Sequence, residues 1–149
     1  MATGLSLIDY DNWVGKHSRP FLIRRTQLQI KALKENFAVC QLADFSQVDF
    51  ASPFVFLAQT DQEKSLVCPE ALVPDNASKV DPGWRAFRIE GVLDFSLIGI
   101  LAKISNILAE NQISIFALST YNTDYLLTKA DQFERAIHLL ATQGYEILV

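Results

Sequence analysis

The chain has 149 residues, 50% hydrophobic and 20% charged, with a net charge of -4, enough to bury about 70% of its unfolded surface in one or two small domains. No block of Lys and Arg is present to neutralise phosphates, which argues against nucleic acid as a partner. The longest apolar run is about six residues, far short of the roughly 20 that span a bilayer, and no cationic start precedes the first apolar residues, so no membrane partner and a cytoplasmic location are expected.

Residues 1–20 read as an N-terminal extension. Leu28, Ile30 and Leu33 fit neither the strand nor the helix period, and Arg24, Arg25, Lys31 and Lys34 read as a solvated face. From Phe37 to Leu42 a strand is expected, and Phe54 to Gln59, Thr60 to Lys64 and Ser65 to Cys68 read as strand, turn and strand of a hairpin. Cys40 and Cys68 lie inside apolar runs and read as small buried hydrophobes in a reduced compartment. Residues 75–83, between Pro74 and Trp84, lack periodicity and read as a linker.

In the second half, Arg85, Phe87 and Ile89 alternate with Ala86, Arg88 and Glu90, the period of a half-buried strand. From Leu97 the period becomes helical, with Leu97, Leu101, Ile104 and Leu108 in one stripe and Ser96 as the expected N-cap. Ile113 to Thr120 and Tyr125 to Lys129 form a second hairpin around Tyr121 to Thr123. A helix follows at once, with Asp131 and Glu134 as an expected capping box, Phe133, Ala136, Ile137 and Leu140 as its apolar face, and Gly144 after its end. Tyr145 to Val149 closes as a strand. The order β-α-β-β-α-β over residues 84–149 predicts an α+β, split βαβ, ferredoxin-like unit with both helices on one face.

The first half, residues 21–74, reads as a reduced copy. Phe37 to Ser46 aligns with Phe87 to Ser96 at an offset of fifty, sharing Phe, a β-branched residue two later, and Asp-Phe-Ser. Only seven residues separate Ser46 from Phe54, so the copy lacks the first helix.

Gly83-Trp84-Arg85-Ala86-Phe87-Arg88, the loop Gly91-Val92-Leu93-Asp94-Phe95-Ser96-Leu97-Ile98-Gly99 and the string Ser119-Thr120-Tyr121-Asn122-Thr123-Asp124-Tyr125 resemble the small bacterial proteins with tandem ACT domains. The same pattern is similar to the ACT domains of the eukaryotic cytosolic arginine sensors and, more distantly, to the regulatory region of aspartate kinases. The resemblance implies two ACT domains and a regulatory protein that is not an enzyme, binds a free amino acid or similar small zwitterion, forms a homodimer and acts on a regulated protein target. It also implies a site in which backbone N-H groups of Leu97, Ile98, Gly99 and Ile100 hold a carboxylate and Ser96 makes a ligand contact. Asp124, with groups around Ser119, Thr120 and Asn122, would hold an ammonium, and Tyr121 and Phe95 would line the side-chain pocket.

Each residue has a plainer role beside this one. Asp124 can cap its hairpin turn, as Asx residues do by bonding their own backbone. Gly99 within a helix costs about 0.5 to 1 kcal/mol relative to Ala and needs a packing or ligand reason. His17 and His138 have no partners at metal-ligand spacing, so neither metal nor cofactor is implied. A dimerisation module without a ligand is the alternative function. Catalysis is disfavoured by the lack of a Gly-x-Ser-x-Gly, a phosphate-cradling glycine loop or a His-Glu-x-x-His.

Overall fold

The computed structural model describes residues 28–90 and 98–149. The elements run β1 (Gln29–Leu42), β2 (Phe56–Gln59), β3 (Lys64–Pro69), a 3-10 turn (Glu70–Leu72), β4 (Ala77–Glu90), α1 (Ile100–Glu110), β5 (Phe116–Ser119), β6 (Asp124–Lys129), α2 (Ala130–Thr142) and β7 (Glu146–Leu148). All strands join one sheet in the order β2-β3-β1-β4-β6-β5, with β7 on β1.

The second half has the expected β-α-β-β-α-β order, and both helices cover one face through Ile104, Leu108, Phe133, Ala136 and Leu140, packed on Phe87, Ile89 and Leu126. In the first half, Phe45, Val48, Val55 and Leu72 cover Cys40, Leu66 and Cys68 on that face. The first helix is absent, as the short spacing predicts, and the second is reduced to the 3-10 turn.

The two long strands differ from expectation, because each serves both halves. β1 pairs with β3 from Phe37 to Leu42, while Gln29 to Lys31 lie between β4 and a parallel β7. The region of Leu28, Ile30 and Leu33 is thus strand from Gln29, its period obscured by a register irregularity between Ala32 and Asn36.

The segment expected as a linker, 75–83, is strand from Ala77 onward. Its Pro82 and Gly83 fall in a bulge, because Phe37 and Val39 of β1 face Trp84 and Asp81 of β4, so β4 carries one residue more. A bulge releases those residues from ladder bonding, which lets a proline sit inside a strand. Gly83 has φ 80° and its N-H donates to Glu70 Oε1 at 2.6 Å.

The opposite face closes on itself. Phe56 of β2 and Tyr125 of β6 have ring centroids 5.0 Å apart, although four strand steps of about 4.8 Å would separate them by roughly 19 Å in a flat sheet. The sheet is therefore curled, with Phe37, Val67, Trp84, Ala86 and Leu127 inside the curve. Phe54, at φ 62°, stacks edge-on against Phe37 and Tyr125 and helps to fill it.

Both helix starts depart from expectation. α2 begins straight from β6 with Lys129 as N-cap and no side-chain cap bond, so Asp131 and Glu134 form no capping box. Asp131 instead lies in the first turn, where the helix dipole favours a carboxylate, and Glu134 stands 3.9 Å from Arg85. α1 begins at Ile100, with Gly99 as its N-cap at φ 82°, so Gly99 precedes the helix rather than lying within it. Ser96, the expected cap, and Leu97, the expected first residue of the stripe, lie outside the described residues.

Candidate functional site

The candidate site is built where β4 ends. Arg88 of β4 faces Tyr125 of β6, so Asp124 starts β6 beside the last residues of β4. Thr123 Oγ1 donates to Ile89 O at 2.6 Å, which fixes the β5–β6 turn to that end. On the inner face, Arg88 is paired with Glu90 at 2.5 Å, and the hydrogen bonds that the guanidinium donates, first to Glu90 and then to Tyr125, hold it above its ordinary pKa.

The turn closes itself through Thr120. Its N-H donates to Thr123 O at 2.9 Å and its hydroxyl donates to the same oxygen at 2.8 Å. The hydroxyl also accepts from Thr123 N-H at 3.3 Å. This is the capping role that Asp124 could have taken, so the turn does not need Asp124. The half-buried Asp124 carboxylate makes no hydrogen bond or ion pair with any described residue. Strand alternation sets it on the face of Leu126, which packs among the helices, and opposite in sense to Tyr125.

α1 starts without a side-chain cap. Its first helical bond runs from Lys103 N-H to Gly99 O at 2.9 Å, which leaves the N-H groups of Ile100, Leu101 and Ala102 ahead of it without an intrahelical acceptor. Of the Leu97-to-Ile100 set read from the sequence, Ile100 is among these helical donors, which run on to Ala102. The helix start moves because Gly99 takes a left-handed conformation that an α-helix does not contain.

Of the other site residues, Ser119 faces Asp124 across the hairpin and is exposed. Tyr121 is 94% exposed and Ile98 95% exposed, and Asn122 is exposed at the turn tip, so Tyr121 lines no enclosed pocket among the described residues. Phe95, Ser96 and Leu97 lie outside the described residues. Sequence reasoning passed over Thr123 and the turn-closing role of Thr120. The signal was available, since the first hairpin carries Thr60 at the same place, its N-H donating to Glu63 O at 2.9 Å and its hydroxyl accepting from Glu63 N-H at 3.1 Å. Among the described residues no cluster of His, Cys, Asp and Glu could hold a metal, and no helix is long and apolar enough to cross a membrane.

A family model described as ACT domain matches residues 79–142. No curated protein matches the chain. The crystal structure of a protein from Agobacterium tumefaciens is 32% identical, with a TM-score of 0.74, covering 82% of this chain and 92% of its own. A Vibrio cholerae protein described as of unknown function and a possible transport protein is 15% identical, with a TM-score of 0.61, covering 78% of this chain and 89% of its own. The ligand-free regulatory subunit of aspartate kinase from Thermus thermophilus is 11% identical, with a TM-score of 0.55, covering 81% of this chain and 98% of its own; at such identities the likeness is one of fold.

Proposed function

The chain belongs to the ACT domain family, and from that premise we propose that it is a regulatory protein that binds a free amino acid or a similar small zwitterion. The observation that carries this reading is Asp124, a half-buried carboxylate that its own turn does not use. A ligand ammonium would satisfy it through charge-assisted hydrogen bonds. The uncapped start of α1 offers the complementary half, because free N-H groups and the helix dipole attract a carboxylate. Among the folds it resembles is a regulatory subunit of aspartate kinase, which fits a module that senses a metabolite and acts on a separate protein in the cytoplasm. No catalytic step is assigned to it.

A thermal-shift screen of the full chain against the twenty free amino acids tests the reading, since a ligand at 100 times its dissociation constant adds about 2.7 kcal/mol. Asp124→Ala should weaken binding of a hit by roughly 10-fold to 150-fold, the equivalent of about 1.5 to 3 kcal/mol. The variant should still fold, because Thr120 closes the turn. Unchanged affinity in folded Asp124→Ala protein would remove Asp124 from the site.

Homodimer formation belongs to the same reading. Ile98 and Tyr121, both almost fully exposed, favour a protein contact at this end of the sheet, and they equally favour a dimerisation module without a ligand. A monomeric mass by sedimentation equilibrium at micromolar concentration would refute the dimer. A dimer that shows no shift with any amino acid would support the ligand-free alternative.

A further inference from the structure

The two halves repeat at an offset of fifty, which matches β1 with β4 position by position. At the start of β1, Ile30 faces Ile147 of the parallel strand β7 and is 0% exposed. Its counterpart in β4 is Val80, which faces Cys40 of β1 on one side and is 46% exposed. β6 reaches β4 only from Trp84 to Arg88, so no described strand pairs with the outer side of Ser78, Lys79, Val80 and Asp81. All four are exposed. The place beside β4 that corresponds to β7 beside β1 is therefore an open sheet edge, with unpaired backbone groups and an apolar side chain on it.

A strand filling this place would run parallel to β4, as β7 runs parallel to β1. Two nearby segments do not supply it. Val73 to Asn76 lead straight from the 3-10 turn into β4. Residues 91–97 leave from Glu90, ten positions or roughly 33 Å along β4 from Val80, and their extended length is only about 23 Å.

Residues 1–27 have both the direction and the length. They lead into β1 at Gln29, which faces Glu90 at the far end of β4. A strand laid parallel to β4 on the open edge already runs toward the place where β1 begins, whereas an antiparallel one would have to reverse. Val80 lies opposite Cys40, eleven positions or roughly 36 Å from Gln29, and residues 8–27 span up to roughly 66 Å when extended. Before them, Leu5-Ser6-Leu7 alternates as a strand does, and Ile8 and Tyr10 follow. The side-chain charges in residues 1–15 are Asp9 and Asp11. On the edge, Asp81 is already tied to Lys129 at 2.6 Å, which leaves Lys79 as the complementary charge.

We propose that residues 5–10 of the same chain add to this edge as a strand parallel to β4, with Leu7 beside Val80 as Ile147 stands beside Ile30. Main-chain hydrogen bonds to residues 78–81 hold it, and Leu7 covers Val80. The stretch expected as an extension then supplies to the first half the strand that β7 supplies to the second. The proposal stands on the open edge and the path of the chain, so it holds or fails separately from the reading of Asp124.

The test is NMR of the full chain labelled with nitrogen-15 and carbon-13. Nuclear Overhauser contacts are expected between residues 5–10 and 78–81, and the amides of 78–81 that point away from β1 should exchange with D2O at least about 10-fold more slowly than unpaired amides. Backbone N-H groups alternate in direction along a strand, so one of Leu7→Pro and Ile8→Pro must remove a donor from the added ladder. That variant should speed exchange at 78–81 at least about 10-fold and leave residues 29–31, which β7 covers, unchanged. Protection at 78–81 that neither variant alters overturns the proposal. A sample mixing labelled and unlabelled chains identifies the source of the contacts: contacts arising only between chains assign the edge to a second copy and overturn it as well. Fast exchange at 78–81 with no contact from 5–10 also overturns it, and leaves an edge blunted by Lys79 and Pro82 alone.

Discussion

Ile30→Ala tests whether the two halves share one core. Ile30 belongs to a strand that continues through the first half, yet it is 0% exposed and packs in the second half's cluster with Phe87, Ile104, Leu126, Phe133 and Leu140. It faces Ile89 of β4 on one side and Ile147 of β7 on the other. Truncation removes three carbons, or about 2.4 kcal/mol of transfer free energy. The residual cavity adds to this, and buried Ile→Ala changes cost about 2 to 5 kcal/mol in all. A loss of about 3 to 4 kcal/mol is expected, lowering Tm by roughly 6 to 16 °C for a chain of this size. Urea unfolding followed by circular dichroism and by tryptophan fluorescence should give one transition in both probes, with a lower midpoint and an unchanged slope. Val149→Ala is the control: at 94% exposure it should change stability by less than about 0.5 kcal/mol. A cost below about 1 kcal/mol for Ile30→Ala, or a second transition that the substitution leaves in place, would refute the shared core.

Gly99→Ala should destabilise the protein by about 1 to 2 kcal/mol, because φ 82° is costly for a residue with a Cβ even though that Cβ would meet no atom within 4 Å. A raised Tm would show that Gly99 leaves this conformation without penalty. The two cysteines should resist thiol reagents at pH 8 in the native state and react once unfolded, since Cys40 and Cys68 are 3% and 1% exposed. Burial first, and Cys40 second, push the Cys68 thiol from 9.0 up to about 11. A folded pKa raised above the unfolded one gives stability that is present below pH 9 and lost as pH rises toward 11, so the urea midpoint should fall across that window and fall less in Cys68→Ala. Equal falls in both proteins would exclude the thiol as the cause.

Much of the second half was legible because its chemistry is local. The alternation at Arg85 to Glu90, the stripe of Ile104 and Leu108 and the glycine after α2 each follow from contacts within a few residues, and all three recur in the structure. The loss of the first helix was legible as well, since the residues between Ser46 and Phe54 are too few for it. The caps were misread because a capping pattern states only what side chains can do. Lys129 leads directly from β6 into α2 and leaves Asp131 already inside the helix.

For the candidate site, the sequence identified the turn and its polar string but could not assign the work within it. Thr120 and Asp124 are both able to close the turn, and only the backbone path decides that Thr120 does so and that Asp124 is left over.

What the sequence determined by itself is the set of elements, their order and the residue types available at each strand end, because periodicity, caps and turns act over a few positions. What only the tertiary structure decided is that β1 inserts between β4 and β7, that Pro82 and Gly83 sit in a bulge rather than a linker, and that the sheet curls until Phe56 meets Tyr125. Those outcomes depend on hydrogen bonds and packing between residues far apart in the chain, where the gain from burying Ile30 and Phe37 outweighs local preference.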